Sequence, residues 1–207
     1  MRPLPRLHAF TDASLLSEPD LGIRAAAIAA AGPAVALHAR AREESAAVLS
    51  TLAARLVTLV RPPEAAVMVS GRSDIAAGIG AHGVQLARDD LAPSDARRVL
   101  RQGWIGCSVH SGEEAMTAVR EGADFIVVGN VYETASHPGR PAAGLGLVRE
   151  VTACGVPVIA IGGITPARAW EVQSAGAYGV AAIRALWKAP DPAAATLALL
   201  EPWMSEI

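Results

Sequence analysis

Cysteine is nearly absent: the 207-residue chain holds two, Cys107 and Cys154. One falls in a predicted strand and the other near a predicted helix end, so no disulfide framework is expected and both read as reduced, buried thiols. Charge of one sign is lacking too. Lys and Arg total 18 against 20 Asp and Glu, a formal charge of -2, and no local basic run compensates, which argues against a nucleic-acid partner. The longest apolar run, near residues 155–164, is too short to cross a bilayer, and the opening Met1-Arg2-Pro3-Leu4-Pro5-Arg6 has no signal-peptide core. A cytoplasmic protein without a membrane partner is the expectation. Missing as well is a G-x-G-x-x-G after the first predicted strand, where Thr11-Asp12-Ala13-Ser14 stands instead. That absence counts against an open dinucleotide-binding sheet.

What is present is a regular alternation. With 52% hydrophobic residues, the chain can bury one sizeable core, so residues 1–207 are read as a single domain. Short apolar, largely β-branched runs fall at residues 7–11, 35–38, 66–69, 83–86, 105–109, 125–128, 158–161 and 179–183. Several show no polar alternation, as strands covered on both faces require. Between them lie helical segments rich in Ala, Leu, Arg and Glu, at 20–31, 43–60, 73–79, 93–100, 112–121, 145–153, 166–175 and 192–200. Ser111-Gly112-Glu113-Glu114 fits a capping box, and Thr165-Pro166 sets an N-cap before a proline at the first helical position. Gly80, Gly103, Gly122, Gly155 and Gly176 stand where helices should end. Eight βα units at this length predict an α/β fold, a compact (β/α)₈ TIM barrel, with function built at the loops following the strands.

Read with that expectation, Gly162-Gly163-Ile164-Thr165-Pro166 is half of a phosphate cup, two glycines feeding a capped helix, and Arg184 after the eighth strand supplies the other half. The alternative is a tight turn and a solvated arginine. His38, Arg40 and Arg42 alternate at the end of the second strand and suit an anionic substrate, with a hydrogen-bonded core histidine as the plain alternative for His38. The long polar loop 129–140 reads as a substrate cover. In it Asn130 orients a ligand without serving as a proton-transfer base, and Thr134 and Ser136 are ligand contacts or solvated loop residues. Asp90 follows the fourth strand, but the third ends in Ser70-Gly71, so a metal site has weak support. Trp170, Trp187 and Trp203 on the last helices are a candidate homodimer face, with simple packing as the commoner role.

Four stretches are more specific: Gly83-Val84-Gln85-Leu86, Gly106-Cys107-Ser108-Val109-His110-Ser111, Gly129-Asn130-Val131-Tyr132-Glu133-Thr134 and Ala160-Ile161-Gly162-Gly163-Ile164. With them the chain resembles the thiamin phosphate synthase superfamily over nearly its whole length, and within it the TenI type, whose characterised members are thiazole tautomerases. The resemblance implies a pocket for a small phosphorylated heterocycle, thiazole phosphate, with Gly162, Gly163 and the Arg184 region on the phosphate and Ser108 among the substrate contacts. Synthases of the superfamily join hydroxymethylpyrimidine diphosphate to thiazole phosphate with magnesium, an Asn-Asp pair after the third strand and a lysine in the sixth loop. The matching positions here are Ser70-Gly71 and His137, while Asp90 matches a magnesium ligand and Arg40 and Arg42 match residues that meet the diphosphate. The TenI type moves a proton on a carboxythiazole phosphate without a cofactor, through a histidine at the position of Asn130. The main expectation is therefore a cofactor-free TenI-like tautomerase, an isomerase in which Arg40 pairs the carboxylate and His38 or His137 carries the proton. A Mg²⁺-using thiamin phosphate synthase and a non-catalytic thiazole-phosphate-binding barrel are the alternatives.

Overall fold

Eight strands form where the apolar runs predict them: β1 (Leu7–Phe10), β2 (Val35–Ala39), β3 (Ala66–Ser70), β4 (Gly83–Leu86), β5 (Trp104–Val109), β6 (Phe125–Val128), β7 (Val158–Ile161) and β8 (Gly179–Ala182). They are seen in a computed structural model that describes residues 3–42, 44–60, 64–134, 139 and 141–206. Each strand pairs in parallel with the next, and β8 returns to β1 through Leu7↔Val180, His8↔Ala181 and Ala9↔Ala182, so the sheet closes into a barrel. The fold is the expected (β/α)₈ barrel. All residues of β1, β2, β4, β6 and β8 are buried, which explains why those runs lack polar alternation.

The helices are α1 (Leu21–Ala29), α2 (Ala46–Leu59), α3 (Ser73–Gly78), α4 (Pro93–Val99), α5 (Gly112–Arg120), α6 (Gly144–Thr152), α7 (Pro166–Ser174), α8 (Arg184–Trp187) and α9 (Pro192–Leu200). Only α8 has no counterpart in the sequence reading, because four residues are too few to display a helical period. Thr165 caps α7 by accepting from the Arg168 N–H. At α5 the Ser111 hydroxyl accepts from the Glu114 N–H, but the Glu114 carboxylate reaches the His110 amide instead of the Ser111 amide, so the box closes one residue early. Trp187 and Trp203 are buried within their own chain, leaving Trp170 as the exposed member of the expected dimer face. Among the described residues, no helix is long and apolar enough to cross a membrane.

The main apolar core fills the layer between sheet and helices, and a second cluster occupies the barrel interior: Leu4, Phe10, Ala36, Ala66, Met68, Trp104, Phe125, Val127, Ile159 and Ala181. Space there is tight. A Cβ on Gly106 would lie 2.2 Å from the Phe125 ring and 2.3 Å from Gln85 Oε1, so only glycine lets that ring fill the axis. Cys107 and Cys154 are free and buried, and burial pushes the Cys107 thiol up to about 12, with Glu121 and Asp124 adding to it.

Two histidines share this interior. His8 Nε2 lies 3.0 Å from the Pro5 carbonyl and must donate to it, which leaves Nδ1 to accept from His38 Nε2–H at 2.8 Å. His38 is further stacked on Phe10, ring centroids 3.9 Å apart. Desolvation lowers His8 to about 4 and His38 well below its ordinary value, with His8 adding repulsion to His38. Both are therefore neutral in the fold near pH 7. Because the unfolded chain binds these protons at higher pH than the folded one, stability is full above pH about 6.5 and is lost as pH falls toward 4, at up to about 1.4 kcal/mol per pH unit for each histidine. Thermal melts from pH 7.5 to 4.5 should show this decline, and the His8→Gln, His38→Gln double variant should flatten it; an unchanged slope in that variant would count against the pair as its source.

Candidate active site

The strand ends of the barrel open onto a cavity of about 1380 Å³. Its lining contains Arg40, Arg42, Ser108, Asn130, Thr134, Gly162, Gly163 and Arg184, so residues scattered across the sequence are brought to one space. His38 does not line it, being wholly buried beneath Phe10, and Asp90 does not either. The Asp90 carboxylate turns back to accept the Ala87 N–H at 2.7 Å and lies close over Gly71. Asp89, its neighbour, is the one on the lining. His137 and Ser136 fall outside the described residues.

The glycine turn after β7 is held from two sides. Val131 and Tyr132 N–H groups donate to the Ile161 and Gly162 carbonyls, stitching the loop after β6 to the loop after β7. Gly162 and Gly163 adopt φ of 102° and 67°, and a Cβ on Gly162 would stand 2.7 Å from Asn130 Cα. The Gly163 and Ile164 amides donate to no backbone carbonyl of a described residue. Free amides at the entrance to a helix of nine residues form an anion cradle. Arg168, from the first turn of that helix, donates to the Gly163 carbonyl at 2.7 Å and lies 4.3 Å over the Tyr132 ring. The Tyr132 hydroxyl donates in turn to Glu171 at 2.7 Å, and burial together with that carboxylate pushes the phenol up to about 12.

Elsewhere on the rim, Ser108 accepts from Gln85 Nε2 at 3.1 Å, and His110 Nδ1–H donates to the Gly129 carbonyl at 2.7 Å. The Asn130 carboxamide donates to the Tyr132 and Pro141 carbonyls, both at 3.4 Å, and so ties its loop across the base. Among the described residues the cavity carries five arginines, Arg40, Arg42, Arg88, Arg168 and Arg184, and the chain's single lysine, Lys188, against two carboxylates, Asp89 and Glu133. Burial lowers the Arg40 pKa, the positive charge of Arg42 lowers it further, and Asp12 partly offsets both. A cavity this rich in guanidinium is built for a polyanion.

A thiamine monophosphate synthase family model matches residues 7–186. The chain belongs to the thiamine monophosphate synthase family. It is 40% identical over 175 residues, 84% of either protein, to the thiamine-phosphate synthase of Thermus thermophilus. It is 38% identical over 207 residues to that of Salinispora tropica, covering 97% of this chain and 98% of the relative. Among solved structures, thiamine phosphate pyrophosphorylase from Pyrococcus furiosus superimposes with a TM-score of 0.82 at 32% identity over 96% of this chain and 95% of its own.

These likenesses overturn the expected tautomerase, since the relatives matched along the barrel are synthases. The proton-carrying role expected of His38 or His137 belonged to the tautomerase reaction and goes with it. The departures that turned the reading toward the TenI type, Ser70-Gly71 and His137 in place of the synthase residues, are local, whereas the synthase likeness extends over the whole barrel. Sequence reasoning also missed Arg88, His110, Arg168 and Lys188, which line the cavity. Two signals were legible: His110 is two residues beyond Ser108 on β5, and Arg168 is three beyond the Thr165 cap. Gly162→Ala should both strain the positive φ and drive a methyl into Asn130, costing about 1–3 kcal/mol in a denaturant melt. It should also weaken inorganic phosphate binding, and a variant as stable and as competent as the parent would remove the cradle from the site.

Proposed function

We propose that this chain is a thiamine-phosphate synthase, a transferase that joins hydroxymethylpyrimidine diphosphate to thiazole phosphate with release of diphosphate. The observation that carries the reading is the pair of cationic walls facing one another in a single cavity. Arg40, Arg42 and Arg88 come from the ends of β2 and β4, and the glycine cradle, Arg168, Arg184 and Lys188 come from β7 and β8. In the closed eight-strand ring β4 stands opposite β8, and the sector from β2 to β4 is centred on β3, which stands opposite β7. At about 1380 Å³ the space exceeds that of an ordinary one-ligand pocket and suits two substrates side by side. The likeness to synthases in both sequence and fold supports the same reaction.

On this reading the cradle at Gly163 and Ile164, with Arg184, anchors the thiazole phosphate. The arginines of β2 and β4 hold the diphosphate, and Phe10 lies on the lining as an apolar face for a ring. The methylene carbon of the pyrimidine loses its bond to a diphosphate oxygen, and the thiazole nitrogen lone pair forms the new carbon–nitrogen bond. Charge grows on the departing diphosphate, where fixed guanidinium donors stabilise it most. The residues present do not fit a resident magnesium ion. Ser70 and Gly71 supply no carboxylate at the end of β3, one oxygen of Asp90 already accepts a backbone N–H, and the described residues contain no cluster of three His, Cys, Asp or Glu.

Purified protein supplied with both half-substrates should form thiamin phosphate and diphosphate in equal amounts. Arg184→Met should raise KM for thiazole phosphate about 10- to 100-fold, the value of a charge-assisted bond, with a smaller effect on the pyrimidine substrate. Absence of product at any substrate concentration would reject the reading.

A further inference from the structure

Seven of the eight strand ends send at least one described residue to the cavity lining; β3 sends none. Its last residue, Ser70, has its hydroxyl buried, Gly71 has no side chain, and Arg72 turns away to form a double contact with Asp74. The wall between β2 and β4 is therefore open. Arg40 and Arg42 reach it from one side and Arg88 from the other, and none of the three side chains makes a hydrogen bond or ion pair with a described residue. We propose that Arg88 completes, with Arg40 and Arg42, a diphosphate site that works without a divalent cation.

Several observations converge on this assignment. A metal site needs oxygen donors, and among the described residues this wall offers few: one Asp90 oxygen accepts the Ala87 N–H, and Asp89 is the single carboxylate on the cavity lining there. What it presents in quantity is planar N–H donors, whose fork geometry matches phosphate oxygens. Arg40 is partly buried beside a second arginine, a cost that the nearby Asp12 offsets only in part and that a bound anion would relieve. Arg88 is exposed and bonded to nothing described, so packing gives no reason for it. The assignment rests on the synthase reading for the identity of the diphosphate donor. In the bond-breaking step the electron pair of the carbon–oxygen bond passes to diphosphate, and its charge is met by guanidinium N–H groups, with no proton or redox partner required.

Calorimetric titration of the intact protein with inorganic pyrophosphate tests this, in EDTA and in millimolar Mg²⁺. Binding should be present in EDTA and within about threefold of that in Mg²⁺. Arg88→Gln should weaken it about 10- to 100-fold, and Arg88→Lys should recover part of the loss because a point charge replaces a fork. Asp89→Asn should bind at least as tightly as the parent, since it removes a repelling carboxylate. The melting temperature of each variant, unchanged from the parent, guards against misfolding. Binding that occurs only with Mg²⁺, or an Arg88→Gln protein that binds like the parent, would overturn the proposal. Product formed only with Mg²⁺ would overturn it while keeping the synthase reading; pyrophosphate binding in EDTA without any product would do the reverse.

Discussion

The parallel pairing of β8 with β1 turns a row of βα units into a ring, and the cavity exists because of that ring. The Val180 N–H donates to the Arg6 carbonyl at 2.8 Å, and a Cβ on Gly179 would lie 2.1 Å from the same oxygen, so the seam closes only around glycine. Arg6 seals the seam from its own side by donating to the Tyr178 carbonyl and covering the Tyr178 ring. Once the ring is closed, every strand delivers its carboxyl end to one rim. Arg40 and Arg184, near opposite ends of the chain, then line one space.

Charge is distributed around that rim in two ways. Some cations are spoken for: Arg168 clamps the Gly163 carbonyl, and Lys188 pairs with Glu18. Others, Arg40, Arg42, Arg88 and Arg184, are not bonded to described side chains and point to a polyanionic substrate. The first group gives the glycine cradle its shape and the second gives the cavity its charge. Preorganised donors of this kind contribute most where charge grows during reaction, since they need no rearrangement at that moment.

The division between what was readable and what was not follows from the length scale of each feature. Strand and helix positions were legible because each rests on a local run, a cap or a helix-ending glycine; the five predicted helix-end glycines all have positive φ. The glycine cradle was legible for the same reason. His38 was not: alternation put it with Arg40, but the stack on Phe10 and the bond to His8 hold it one layer deeper in the barrel. Trp187 and Trp203 were candidates for a surface and proved to be interior, because the helices they sit on pack against α7 and α1.

The reaction class was the costliest misreading, and it came from weighting a few absent synthase residues, Ser70-Gly71 for the Asn-Asp pair and His137 for the lysine, over the likeness of the whole barrel. Asn130 in the sixth-strand motif was compared with a histidine, yet its carboxamide serves to tie its loop to Tyr132 and Pro141. By itself the sequence determined a parallel barrel and a glycine turn leading into a capped helix after β7, because hydrophobic period and glycine conformations are properties of neighbouring residues. The tertiary structure alone decided that β3 is silent, that Asp90 faces its own loop and that Arg88 shares a wall with Arg40 and Arg42. Those facts depend on which strand ends adjoin in the closed ring, and no local pattern encodes that.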